Sequence, residues 1–186
     1  TISFLREVAK HHLVLRHIWC PDRQRRESDS EHAWHVALFV MMLAKDYPSL
    51  DVGRMLKMAL IHDVAEIHAG DVPVFDKKAR EGKKEREAVA WEKVFARLPD
   101  GLGGEWRSLV EEYEAKETPE AKLVNACDKL QPLLMNLESE GESWKRLKVS
   151  FGDVRDVKIR HVEHDGLLLR LYEKMMEEAK ERQLLR

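Results

Sequence analysis

Apolar residues return at helical spacing along almost the whole chain, whereas alternating runs of Val, Ile and Thr are nearly absent, and this periodicity predicts an all-α fold of about six to eight helices. A first helix is expected from Ser3 to Arg16, and Pro21 with its charged neighbours reads as a loop from Cys20 to Arg26. Ser28 and Glu31 have the spacing of a capping box, so a helix through Trp34, Val36, Leu38, Phe39 and Met42 is expected to open there and stop near Tyr47-Pro48. A third helix from Asp51 carries Val52, Met55, Leu56, Ala59, Ile61 and Val64 and is expected to close near Gly70. Beyond a short connector, Lys77 to Leu98 reads as a long helix with a solvated charged face, and Glu105 to Ala115 as another. Pro119 suits a helix start, and the helix it opens should kink or end soon after Pro132. Glu138 to Asp153 reads as a long loop before a last amphipathic helix through Ile159, Val162, Leu167, Leu168, Leu171 and Met175.

The 186 residues are taken as one domain, with a core over residues 28–135 and the last helix over residues 154–184. Lys+Arg 32 against Asp+Glu 34 leaves a formal charge of -2, so no global field draws in a nucleic-acid polymer or a membrane. An anionic ligand must then be held by local groups. Cys20 and Cys127 are too few for a disulfide framework and form no Cys-x-x-Cys pair. With charges from Arg6 onward and no long apolar run, the expected setting is soluble and cytoplasmic.

The chemistry concentrates in His62-Asp63, followed by Glu66 and Gly70-Asp71. An imidazole and a carboxylate side by side, with another carboxylate one turn on, offer a divalent cation two ligands and its water a base. His32, a turn into another apolar helix, and Asp128, among Ala126, Cys127 and Leu130, are candidates for the remaining ligands. An unpartnered buried carboxylate at Asp128 would be costly, and convergence on a cation relieves that cost. The plainer readings are a salt bridge from Asp128 to Lys129 or Lys122 and a water-exposed His32. His35 could ligate or support His32, while His68 reads as a cap on its helix end, and His11, His12 and His17 as surface or packing residues.

Glu27 to His32, His62 to Asp71 and Asp128-Lys129-Leu130 together resemble the HD-domain phosphohydrolases, and within them the YfbR-like 5'-deoxynucleotidase group. The likeness runs to about residue 140, through Glu111 to Glu114 and Thr118 to Lys122. The resemblance implies one divalent metal (Co, Mn, Fe, Ni, Zn or Mg) on His32, His62, Asp63 and Asp128, with Glu66 as the catalytic carboxylate and Asp71 assisting. It implies a homodimer as well. It places Arg16 at the 5'-phosphate and Trp19 where a 2'-hydroxyl would sit, with Arg23, Arg25 or Arg26 as substitutes for the phosphate role.

The expected reaction is hydrolysis of a (deoxy)nucleoside 5'-monophosphate. An HD-type phosphodiesterase or guanosine polyphosphate hydrolase could use the same metal shell, although a single His-Asp motif without further histidines favours the monoesterase. A regulatory module that keeps the metal as a staple is the non-enzymatic rival, and Glu66 and Asp71 speak against it, since a closed structural site has no use for a base.

Overall fold

In a computed structural model that describes residues 1–76 and 78–185, the sequence periodicity becomes a helical bundle with one small hairpin. The chain opens with α1 (Ile2–Val8) and a 3-10 turn (Ala9–Leu13), then β1 (Leu15–Trp19) and β2 (Arg26–Ser28). Next come α2 (Asp29–Leu43), α3 (Val52–Ile61), α4 (Glu66–Ala69), α5 (Lys83–Phe95) and α6 (Gly103–Ala115). The last elements are α7 (Pro119–Glu138), α8 (Glu142–Leu147), α9 (Phe151–Lys158) and α10 (Gly166–Glu181).

The central element is α7, against which α2, α3, α6 and α10 pack. Its Leu123, Val124, Leu130, Leu133 and Leu137 meet Val36, Val40, Met55, Met58 and Leu168 in one apolar core. Burying each such side chain contributes about 1.5–3 kcal/mol. Pro119 occupies the first turn, and the Thr118 hydroxyl accepts from the Ala121 N–H at 3.2 Å. Contrary to expectation, α7 continues through Pro132 to Glu138. Burial on all sides outweighs the one backbone bond that proline removes, and Asn136 donates to the Pro132 carbonyl at 2.8 Å.

Five other expectations need revision. The last helix opens only at Gly166, because Asp165 caps it there, leaving Ile159 and Val162 in the turn before it. The first helix does not reach Arg16: the chain is extended from Val14, and β1 pairs antiparallel with β2, Leu15 opposite Ser28 and Trp19 opposite Arg26. The expected third helix breaks at His62, where Val64 bonds to the Ile61 carbonyl (3.0 Å) and Glu66 to that of Asp63 (2.9 Å). The long charged helix is shorter, Lys83–Phe95, and Lys77, its expected start, lies outside the described residues. The polar stretch after Glu138 holds α8 and α9 rather than a loop, because Ser150 and Asp153 form a second capping box.

Candidate metal centre

Three segments bring the predicted donors together. The Ser28–Glu31 capping box forms as expected and fixes the first turn of α2, which sets His32 facing α7 with no exposed surface. The tight turn after α3 delivers His62 and Asp63, and α7 delivers Asp128. His32 Nε2 lies 3.1 Å from Asp128 Oδ1 and 3.7 Å from Asp63 Oδ2. His62 Nε2 lies 3.1 Å from Asp63 Oδ2 and 3.9 Å from Asp128 Oδ1. Metal–ligand bonds of about 2.0–2.2 Å separate neighbouring donors by about 3–3.6 Å, which is close to these edges.

The outward bonds of the two imidazoles settle which nitrogen is free. His62 Nδ1 is 2.9 Å from the Ala59 carbonyl, and His32 Nδ1 is 2.8 Å from Gln131 Oε1. Carbonyl oxygens only accept, so each Nδ1 carries the proton and each Nε2 turns a lone pair toward the carboxylates. Gln131 is itself oriented, donating from Nε2 to Glu27 Oε1 at 2.6 Å, with His35 Nδ1 3.2 Å away. His62 Nε2 is buried without a hydrogen-bond partner. Burial lowers His32 to about 4, keeping it neutral. For His62, burial is outweighed by Asp63 and Asp128, which favour a positive charge there. A divalent cation supplies that charge while using both lone pairs, so the donor set fits a metal.

The carboxylates are supported in the same way. Burial would raise Asp63, but His62, Arg16 and His32 hold it below the usual range. Arg16 Nη1 sits 2.9 Å from Asp63 Oδ2 and 3.4 Å from Asp29 Oδ1, and its Nε 3.7 Å from Glu27 Oε2. Asp128 is likewise held low against burial by Lys129, whose Nζ is 2.6 Å from Oδ2, and by both histidines. Tyr113 donates to that same oxygen at 2.7 Å. The salt bridge to Lys129 is therefore present, but on the oxygen turned away from His32.

Glu66 lies beside this group, 5% exposed, with Oε2 unpartnered and Oε1 3.7 Å from Lys83 Nζ. Burial, then the charges of Asp63, Asp29 and Asp71, raise its carboxyl well above the ordinary value, so it binds a proton avidly. Asp71 meets the backbone N–H of His17 at 3.3 Å. Asp29, Glu66 and Asp71 form a second group that could hold a metal, an oxygen of each within 4.8 Å of the others. The centre opens on a cavity of about 680 Å³ lined by Arg16, Asp63, Glu66, Asp71, Lys83, Trp91, Tyr113, Asp128, Trp144 and Lys158 among others.

Trp19 stands apart from this arrangement. It does not line the cavity, and its ring lies under the Arg146 guanidinium, 4.3 Å from centroid to carbon. Trp144 and Trp91 line the cavity instead. Of the substitutes for Arg16, Arg25 is paired with Glu31 at 2.6 Å, and neither Arg23 nor Arg26 lines the cavity. His68 pairs with Glu7 at 3.2 Å rather than only capping its helix. His11 proves buried, 3.2 Å from the Asp63 carbonyl. Sequence reasoning assigned no role to Glu27, Asp29, Lys83, Tyr113, Gln131 and Lys158; Glu27, Asp29 and Tyr113 lie inside the stretches that carry the resemblance, and the other three lie in no motif of recognisable spacing.

A helical bundle that turns a His-Asp step toward a histidine from one helix and an aspartate from another defines a class, and the family model of the HD domain matches residues 8–167; the chain belongs to that family. Among known relatives, the human 5'-deoxynucleotidase HDDC2 is 35% identical over 75% of this chain and 68% of its own length. The Danio rerio 5'-deoxynucleotidase HDDC2 is 35% identical over 92% and 83%. The crystal structure of a "Predicted metal-dependent phosphohydrolase" from Magnetospirillum magnetotacticum MS-1 superposes with a TM-score of 0.90 at 38% identity, covering 99% of this chain and 93% of that one.

Proposed function

We propose that this protein is a metal-dependent phosphomonoesterase that hydrolyses deoxynucleoside 5'-monophosphates to deoxynucleoside and phosphate. The observation that carries the reading is the pair of Nε2 lone pairs aimed at two carboxylate oxygens beside a buried Glu66, with His62, Asp63, Asp128 and Glu66 on one cavity. The names of the HDDC2 relatives supply the substrate class. His32, His62, Asp63 and Asp128 would hold the cation. Bound there, a divalent ion supplies Lewis-acid activation of water and of the phosphoryl group.

The other steps belong to side chains. Glu66, kept ionised by Lys83 and by the charge of the cation once bound, would orient the attacking water and accept its proton. Lys83 compensates the buried charge of Glu66 once that proton has moved on. Arg16 fixes Asp63 while its guanidinium borders the cavity where equatorial phosphoryl oxygens would lie. Asp71, on the same cavity, would assist at the leaving 5'-oxygen or position a water. A homodimer and a cytoplasmic setting complete the proposal. Trp34, Met41 and Met42, exposed along α2, are apolar surface that a second copy would cover, and no helix among the described residues is long and apolar enough to cross a membrane.

Phosphate release from deoxy- and ribonucleoside monophosphates, with several divalent metals, tests this directly. Wild type should show metal-dependent turnover, with Glu66→Gln lowered about 10²- to 10⁴-fold, the range for loss of a general base. Turnover by the Glu66 variant equal to wild type would remove that residue from its role, and no metal-dependent release from any substrate would leave a non-catalytic metal module.

A further inference from the structure

Of the cationic side chains on the cavity, Arg80, Lys84 and Arg160 are exposed to solvent, whereas most of the less exposed ones are committed to acids. Arg16 shares its charge among Asp63, Asp29 and Glu27, Lys129 is on Asp128, and Lys83 stands between Glu66 and Glu87. Lys158 differs. It is the last residue of α9, lines the cavity, and is only 7% exposed, yet among the described residues its amine has no hydrogen bond and no carboxylate within ion-pair distance. A buried ammonium without a counter-charge is costly, and proteins rarely retain one unless something neutralises it.

The helix that carries Lys158 is anchored at its start. The Ser150–Asp153 box pins the start of α9, with Ser150 N–H 2.9 Å from Asp153 Oδ2, and Val154 is fully buried beneath it. Burial, reinforced by the nearby charge of Lys129 and only partly opposed by the more distant Asp128, pulls Lys158 down to about 7, so that a neighbouring anion would restore its proton. The α9 carbonyl end offers it only a partial negative charge.

We propose that Lys158 is a phosphate-binding residue, whose ammonium takes a phosphoryl oxygen of the substrate from the α9 wall of the cavity while Asp128 and its fellow donors lie on another. This deepens the phosphomonoesterase reading and names a recognition residue outside every sequence motif. An anion there meets a cation that no protein carboxylate has already satisfied, so binding does not first require an ion pair to break.

The experiment measures binding of inorganic phosphate by calorimetry to the full chain with Mg(II), comparing wild type, Lys158→Met, Lys158→Gln and Lys158→Arg, alongside KM for a deoxynucleoside monophosphate. Loss of one charged hydrogen bond should weaken phosphate by roughly tenfold or more in the Met and Gln variants and raise KM in parallel, with Arg restoring most of the affinity. Should Met fail to fold, Gln keeps the stem and a polar end and gives the same comparison. A phosphate Kd equal to wild type in a folded variant, changed only in melting temperature, would make Lys158 a helix-terminus residue and overturn the inference; so would a wild type that binds no phosphate. Phosphate binding lost with Lys158 in a protein that hydrolyses no nucleotide would uphold the inference and sink the hydrolase reading instead.

Discussion

Two walls of one cavity follow opposite rules. On the wall built by α2, the turn after α3 and α7, the donor side chains are held from behind: each imidazole donates outward, Asp63 and Asp128 each have a cation, and the supporting Gln131 has its own supports. On the α9 wall Lys158 has no acid within ion-pair distance among the described residues. The first pattern holds donors at fixed separations whether or not an ion is present, as a site selective by geometry requires. The second leaves charge unspent, as a site for an exchangeable anion requires. Preorganisation and vacancy of charge thus divide the work between them.

The contrast breaks most visibly at the donors themselves. Asp128→Ala removes one ligand and leaves His32, Tyr113 and Lys129 without their shared partner, so metal should be lost outright and activity with it, by about 10³-fold or more, in line with loss of a catalytic unit. Elemental analysis checks this, and unchanged metal content would show the donor set to be misassigned.

One layer out, Gln131→Leu keeps volume but frees His32 to rotate and to place its proton on either nitrogen. Metal affinity should fall about 10- to 100-fold, the usual cost of losing such an orienting bond. Competition against a chelator measures it; the same affinity in the variant would mean that burial alone orients the ring.

The smallest expected effect concerns pH. Burial raises Glu27 from 4.5 to about 7, and Asp29 from 3.8 to about 7. In both, the folded state binds the proton more tightly than the unfolded chain, so their contribution is fully present below the unfolded values and is lost as pH rises toward 7. Each acid therefore contributes a negative slope of up to about 1.4 kcal/mol per pH unit between those limits, set against the positive slope from His11, His32 and His161, which burial lowers to about 4. In metal-free protein, Glu27→Gln should remove the Glu27 share, shifting the slope in urea melts followed across pH upward by up to about 1.4 kcal/mol per pH unit relative to wild type, and an unchanged slope would assign the titration elsewhere.

Legibility in the sequence followed locality. The Ser28–Glu31 box, Pro119 at a helix start and the heptad-like apolar steps are written in neighbouring residues, and they position His32 and Asp128 as read. His62-Asp63 carried its chemistry in the dipeptide, although not the break that aims it. What escaped depends on distant partners. Leu15 to Trp19 is five residues long, and only its pairing with Arg26–Ser28 makes it a strand rather than a helix end. Gln131 and His32 are 99 positions apart, so no spacing links them. Lys83 and Lys158 sit in charged helices whose polar residues looked solvated, and only the tertiary fold turns those two inward.

His32 has no exposed surface at all, and this governs traffic as well as chemistry. An ion seated against it would meet the cavity through His62, Asp63 and Asp128, so under the proposed function a product bound there would act as a stopper, slowing escape of the ion without adding a single bond to it.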